Sequence, residues 1–287
     1  MKKTFRIGKF NFIIDHPDEF ILMPYMFNFE TNDDGMYYTY HIHMVDEIKL
    51  PSRKEDALRL DAAIYNEGDK EHRLLGFPAL EKNYAMCIES DDNNSDIYFL
   101  SSQAKELALA PYFVSLFSLE RHMIKNDSLV LHCAYMCYED EAILLSAPSG
   151  GGKTTHAGLW EKYKGATVVN GDKALIYIQD GRWVADGWPV CGTSGVCYNK
   201  KLPIRAIVTL TQEKSNNVRV LSPSEAFFKL YAQITINSWN KTFQNHAMDL
   251  IERLLDDIKV YHLGCDISKE AVDTLSLVVD VIGGAHS

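Results

Sequence analysis

The residues of this sequence best suited to chemistry form one short run, Ala147-Pro148-Ser149-Gly150-Gly151-Gly152-Lys153-Thr154. Three consecutive glycines let the backbone take left-handed angles and bring its N–H groups close to an anion. A helix starting near Lys153 would aim the positive end of its dipole at the same point. In such a loop the lysine reaches the β- and γ-phosphates of a nucleoside triphosphate and the threonine hydroxyl ligates Mg²⁺. Pro148 to Thr155 is therefore the predicted nucleotide-binding segment, for ATP or another nucleoside triphosphate with Mg²⁺. Ala147 stands where the usual pattern has its first glycine, a position that mainly needs a small residue. A glycine loop that merely ends a strand is the competing reading.

A magnesium triphosphate site also needs a carboxylate, to hold the metal or to take the proton of an attacking hydroxyl. Asp172 is the best candidate, in the turn Asn170-Gly171-Asp172-Lys173. Taken alone Asp172 reads better as part of a solvated turn; it is the phosphate loop beside it that favours function. Thr154 and Asp172 are the predicted metal ligands.

The elements that must position these residues follow from hydrophobic patterning. Leu129 to Tyr135 and Ala142 to Ser146 read as strands, the second running into the glycine loop. Thr154 to Tyr163 continues as a helix and Ala166 to Asn170 as a strand, so the spacing predicts a strand-helix-strand unit with parallel strands side by side. A hairpin is predicted at Ile176–Ile178 and Trp183–Ala185 across Gln179-Asp-Gly-Arg182, and a strand at Ile204–Leu210. Helices follow at Pro223–Ile234, Gln244–Ile258 and Lys269–Val281, with a strand at Lys259–Leu263. Upstream, Phe5–Ile14, Met36–Met44, Ala57–Tyr65, Tyr84–Glu89 and Asp96–Leu100 alternate as half-exposed strands do. Turn signals Asn32-Asp-Asp-Gly35, Glu67-Gly-Asp69 and Asp91-Asp-Asn-Asn-Ser95 separate them, and Gln103–Lys125 reads as one joining helix.

The 287 residues, 46% of them hydrophobic, suffice for a catalytic domain with a smaller companion. A formal net charge of -10 argues against nucleic acid as the main partner. No apolar run reaches the ~18 residues of a membrane span, and the polar alternation after Met1 does not read as a signal peptide. The expectation is a cytoplasmic protein without a membrane partner. Six scattered cysteines read as buried free thiols.

From Leu129 to Val281 the sequence resembles the catalytic domain of HPr serine kinase/phosphorylase and the bacterial HPr-kinase-like proteins. The resemblance rests on His132 before the loop, Ser149-Gly-Gly-Gly-Lys-Thr154, Asn170-Gly-Asp-Lys-Ala-Leu-Ile176 and Gly187-Trp-Pro-Val-Cys-Gly192. Phosphoenolpyruvate carboxykinases share the fold, with the nucleotide at the edge of a strongly bent sheet. The likeness implies an α/β fold (α+β overall) with a P-loop core of the HPr kinase/phosphoenolpyruvate carboxykinase type over 128–287; residue pattern alone places a β-rich N-terminal region over 1–102 and a connecting helix over 103–127, and the first 120 residues do not resemble the amino-terminal domain of HPr kinase. The likeness implies a catalytic set of Asp172, His132 and Lys153, with His132 orienting Asp172 or adjusting its protonation. It also suggests an oligomer.

The activity so implied is transfer of a γ-phosphoryl group to a hydroxyl acceptor: a protein, a peptide or a small metabolite. Two departures qualify it. The kinases carry two consecutive Asp residues where this chain has Asp172 between Gly171 and Lys173, and Thr193 stands where related proteins carry a lysine. A nucleotide-binding regulator with little turnover is the alternative. For the missing cation, Lys200, Lys201 and Arg205 are candidates, with a solvated basic turn the better account of the two lysines. A carboxykinase-like lyase lacks its metal and oxaloacetate residues upstream of the loop.

Other candidates have plain explanations beside the functional one. His41 and His43 share a strand face, as metal ligands or as surface residues. Cys191 and Cys197 flank the presumed site, as nucleophile candidates or buried thiols. Trp183, Trp188 and Trp239 with Tyr198 would frame an acceptor pocket or pack a core.

Overall fold

The computed structural model describes residues 1–33, 35–76, 82–91, 93–108 and 115–283. The chain divides into two compact units, Met1–Leu119 and Glu120–Ser287. Each contains an eight-stranded sheet, so the fold is mixed α/β.

The first unit comprises β1 (Lys2–Ile7), β2 (Phe10–Asp15), β3 (Tyr38–Val45), β4 (Ala57–Leu58), β5 (Ala62–Glu67), β6 (Lys70–Gly76), β7 (Asn83–Asp91) and β8 (Asn94–Leu100), with a 3-10 helix at Pro24–Phe29. Their order in the sheet is β1-β2-β3-β8-β7-β6-β5-β4. The pairs β2–β3 and β3–β8 are parallel. Alternating burial along β2 and β8 matches the alternating sequence. Aromatic packing fills one core: Phe5 on Phe12 at 5.6 Å, and Tyr40 on Phe117 at 4.9 Å. A smaller cluster joins Ile48, Ala63, Tyr65, Leu74 and Met86.

Two predicted strands of this unit are each two. Gly8, at φ 57°, turns Phe5–Ile14 into the β1–β2 hairpin. Residues 59–61 separate β4 from β5 inside Ala57–Tyr65. The single helix predicted over Gln103–Lys125 is replaced by a 3-10 helix at Ser101–Ala108 and α1 (Leu119–Lys125), because Ser118 takes a φ of 47° and ends any helix arriving there. Residues 109–114, which carry Leu109 and Phe113 of that predicted helix, lie outside the described residues, as do Asp34 and Asp92 of two predicted turns.

The second unit holds β9 (Ser128–Tyr138), β10 (Glu141–Ser146), α2 (Lys153–Lys164), β11 (Thr167–Asn170), β12 (Lys173–Gln179), β13 (Arg182–Asp186), β14 (Leu202–Gln212), β15 (Asn217–Val220), α3 (Pro223–Tyr231), α4 (Lys241–Asp257), β16 (Val260–Cys265) and α5 (Lys269–Gly283). Here β9 does two jobs. Its first half pairs with β12 and its second half with β10. Since β10 also pairs in parallel with β14, and β14 with β13, the path of strands closes on itself. Asp180 and Gly181 both take positive φ, as the tight β12–β13 hairpin requires.

One face of this sheet buries Leu144, Ile207, Leu230, Leu250 and Leu254 against α3 and α4. The other buries Leu145, Val208 and Leu263 against Trp160 of α2 and Leu275 of α5. On α4 the buried residues Ala247, Leu250, Ile251 and Leu254 recur at helical spacing. Among the described residues, no helix is long and apolar enough to cross a membrane.

The predicted adjacency of β10 and β11 is corrected. The strand β11 pairs with β9, not with β10, so β9 lies between them. The reason is the two-residue turn Glu139-Asp140, at φ 49° and 59°, which folds β9 back onto β10 and occupies that edge. The site residues still converge, because β9 itself carries His132 next to Lys173 of β12.

Candidate functional site

The loop between β10 and α2 is shaped by its small residues. Gly150 (φ 77°) and Gly152 (φ 94°) take left-handed angles, and Gly152 caps the helix. Gly151 answers a different need: a Cβ there would lie 2.6 Å from the Ala147 Cβ and 3.0 Å from the Pro148 carbonyl oxygen. A side chain longer than alanine at 147 would crowd the same space. The loop is tied internally by the Gly151 N–H on Pro148 O at 3.0 Å, and from outside by Gln212 Nε2 on Gly150 O at 3.2 Å.

Pro148, Ser149 and Gly150 are exposed, as are Thr154 and Thr155 on the first turn of α2. Lys153 is buried to 7% exposure, with Nζ donating to Ala147 O at 2.9 Å and Pro148 O at 3.3 Å. Among the described residues no ion pair neutralises it. Burial holds its pKa below that of a free lysine, against the opposing pull of Asp172. Lys153 and Asp172 are thus within electrostatic reach of each other.

Asp172 is held from several sides. Asn170, fully buried, accepts the N–H of Asp172 at 2.9 Å and of Lys173 at 3.0 Å on its side-chain oxygen, and donates to Trp188 O at 2.8 Å and Val190 O at 2.9 Å. The turn is thereby fastened to the Gly187–Gly192 segment. Gly192, at φ 55°, lies against the aspartate: a Cβ there would be 3.2 Å from Asp172 Oδ1. A Cβ at Gly171 would strike Ser194. The Asp172 carbonyl accepts from Cys133 N at 3.0 Å, fixing the turn to β9.

His132 completes the cluster. Its Nε2 is 3.6 Å from Asp172 Oδ1, and its Nδ1 is 3.0 Å from Gln233 Oε1. Burial lowers its pKa; the Gln233 contact and Asp172 oppose that, and the Lys153 and Lys173 charges reinforce it. The imidazole is therefore neutral at pH 7. The structure thus brings His132, Lys153 and Asp172 together with the glycine loop. The hydroxyl of Thr154 and the carboxylate of Asp172, oxygen donors on exposed or half-buried residues, are chemically suited to Mg²⁺.

The substitute cations are corrected. Arg205 is buried in β14 between Glu141 and Glu139, the latter at 2.8 Å. It pairs near the start of β10, whereas the loop leaves from the other end. Lys200 reaches Cys137 Sγ at 3.2 Å, in the half of β9 beyond His132. Lys173, whose Nζ is 3.5 Å from Thr235 Oγ1, is a cation whose charge acts on His132. Cys197 is buried against Trp188 O at 3.0 Å, and burial pushes its thiol up to about 12, which removes it as a nucleophile. Trp183 and Trp188 are core residues, while Tyr198 is exposed. In the first unit His43 bonds Asp96 at 2.7 Å and His41 lies 3.6 Å from Asp15. They face different carboxylates.

Two positioning residues escaped the sequence reading. Asn170 was only part of a motif there, and Gln233 carried no local signal. Its carbonyl also accepts from His132 N at 2.9 Å, across more than 100 residues of chain.

Comparison with known proteins adds the following. No curated protein matches the sequence. Among solved structures, the chain is similar to the Hpr(Ser) kinase/phosphatase from Coxiella burnetii, at 9% sequence identity and a TM-score of 0.34, over 55% of this chain and 99% of that one. Residues 99–283, well over half of the chain, match the family model described as SynChlorMet cassette protein ScmC. The chain belongs to the ScmC family.

Proposed function

We propose that this protein binds a nucleoside triphosphate with Mg²⁺ at the β10–α2 loop and transfers its γ-phosphoryl group to an acceptor hydroxyl. The observation that carries the reading is the convergence of three differently charged groups on one glycine loop: the un-neutralised Lys153, the Asp172 carboxylate and a neutral His132. The N–H groups of Gly150, Gly152 and Lys153, with the start of α2, would receive the phosphates. Lys153, bonded to carbonyls at rest, would exchange them for phosphate oxygens, which are stronger partners for an ammonium. Thr154 and Asp172 would hold Mg²⁺, which supplies charge neutralisation on the transferring group. Asp172 and His132 would orient and deprotonate the acceptor, a protein, peptide or metabolite hydroxyl.

A nucleotide-responsive regulator is the second reading, favoured by the single carboxylate of the Gly171-Asp172-Lys173 turn. Slow release of γ-phosphate from ATP with Mg²⁺ separates the two. The kinase reading expects release by wild type, its loss in Lys153→Ala through failed binding, and its loss in Asp172→Asn with binding retained. Wild-type release that Asp172→Asn leaves unchanged contradicts the chemistry assigned to Asp172.

A further inference from the structure

The two nitrogens of His132 are in unlike surroundings. On the Nδ1 side Gln233 Oε1 lies at 3.0 Å, an ordinary hydrogen-bond distance. On the Nε2 side Asp172 Oδ1 lies at 3.6 Å, beyond the range in which an N–H donates well to a carboxylate. An imidazole with its proton on Nε2 would close that gap, since a charge-assisted bond is shorter than a neutral one. An open gap is what two acceptors keep between them.

Gln233 is well placed to enforce this. Its backbone carbonyl accepts from His132 N at 2.9 Å, and the next two residues bridge to β9 through Leu131↔Ile234 and Thr235 N on Val130 O at 2.9 Å. The side chain therefore starts from an anchored backbone just past the end of α3. The ring cannot turn over without losing the Nδ1 contact.

We propose that Gln233 is a positioning residue that holds His132 in its Nδ1–H form, so that the Nε2 lone pair is left to face the acceptor hydroxyl. This rests on the phosphoryl-transfer reading, and it names the group that takes the acceptor's proton. As the acceptor oxygen bonds the γ-phosphorus, its O–H bond breaks and the proton goes to His132 Nε2. The bond from γ-phosphorus to the β–γ bridging oxygen breaks, and nucleoside diphosphate leaves with that electron pair. The imidazolium so formed keeps its Nδ1–H bond to Gln233 Oε1.

The test is the tautomer itself, read by long-range ¹H–¹⁵N correlation of histidine-labelled full-length protein, with His132→Asn to assign the resonance. Wild type is expected to show a protonated Nδ1 and a bare Nε2. Gln233→Leu, which keeps the backbone bonds, should move the ring toward the Nε2–H form. It should lower ATP-dependent phosphate release by about tenfold while leaving ATP affinity within about twofold. Gln233→Glu, which retains an acceptor oxygen, should hold the wild-type tautomer. A wild-type ring protonated on Nε2, or a Gln233→Leu ring unchanged from wild type, overturns the inference. The tautomer spectra need no turnover, so an absence of ATP binding in wild type would fail the kinase reading and leave the role of Gln233 to the spectrum.

Discussion

The sheet of the first unit and the loop end of the second unit's sheet treat their polar groups in opposite ways, although elsewhere in the second sheet Arg205 is matched by Glu139 and Glu141. In the first unit the charges inside or beside the sheet are matched. Glu71 and Arg73, nearly fully buried on β6, pair at 2.6 Å; Arg53 pairs with Asp56 at 3.1 Å over the Tyr65 ring. Even the groove of about 790 Å³ near the β5–β6 hairpin is bordered by both signs, Arg53 and Lys70 with Glu67 and Glu89. In the second unit, at the ends of β10 and β11, Asn170, Gln233 and the glycines fasten the backbone and rings, yet Lys153 has no carboxylate partner among the described residues, and His132 and Asp172 stand apart. Under the proposed function, groups held firmly but not satisfied by one another are those that would meet the triphosphate.

The largest expected effect breaks the matched side. Arg73→Leu removes the guanidinium that neutralises the buried Glu71, and breaking such a buried pair costs about 3–5 kcal/mol. Amide exchange in β6 and β7 should accelerate accordingly, while nucleotide affinity of any protein that stays folded is unchanged. Comparable exchange rates in wild type and variant would remove the contrast between the units.

Glycine substitutions sharpen the comparison at smaller cost. Gly68, on the β5–β6 turn, has φ 63° and open space where a Cβ would go, so Gly68→Ala carries only the left-handed strain of about 1–2 kcal/mol and no binding defect. Gly151→Ala meets Ala147 at 2.6 Å and must displace the loop. It should weaken ATP binding by about tenfold or more for an overpacking cost of about 1–3 kcal/mol. Equal affinity in the two alanine variants would show that the loop's close packing is irrelevant to binding.

The smallest effect is graded with pH. Burial lowers the pKa of His132, His156 and His262, all in the second unit. The unfolded chain, titrating near the ordinary 6.5, takes up protons first. Their contribution is therefore complete above about pH 6.5 and is lost as pH falls below it, down toward the lowered native values. All four tryptophans lie in residues 120–287, so their fluorescence follows this unit alone. The urea midpoint should fall between about pH 7 and about pH 5.5, and fall less steeply in His156→Leu. A slope unaltered by that substitution would exclude His156, which is 3% exposed, as a contributor.

What the sequence revealed was local. Three glycines, a lysine and two threonines in a row announce their loop, and the helices α3, α4 and α5 follow apolar spacing that depends on near neighbours. Long-range or disguised features were hidden. The strand β6 carries charged residues at buried positions, Glu71 and Arg73, so its alternation reads as polar. The turn that inserts β9 between β10 and β11 uses Glu139 and Asp140 in left-handed conformations without glycine. The hold of Gln233 on His132 spans 101 positions and leaves no trace in either neighbourhood.

The central claim is that Lys153 and its glycine loop bind a triphosphate, and calorimetric titration of ATP with Mg²⁺ into wild type and Lys153→Ala tests it most directly. The account predicts one site per chain in wild type, weakened by about ten- to a hundredfold in the variant through loss of a charge-assisted hydrogen bond. No heat of binding in wild type, or equal affinity in the two proteins, would contradict it.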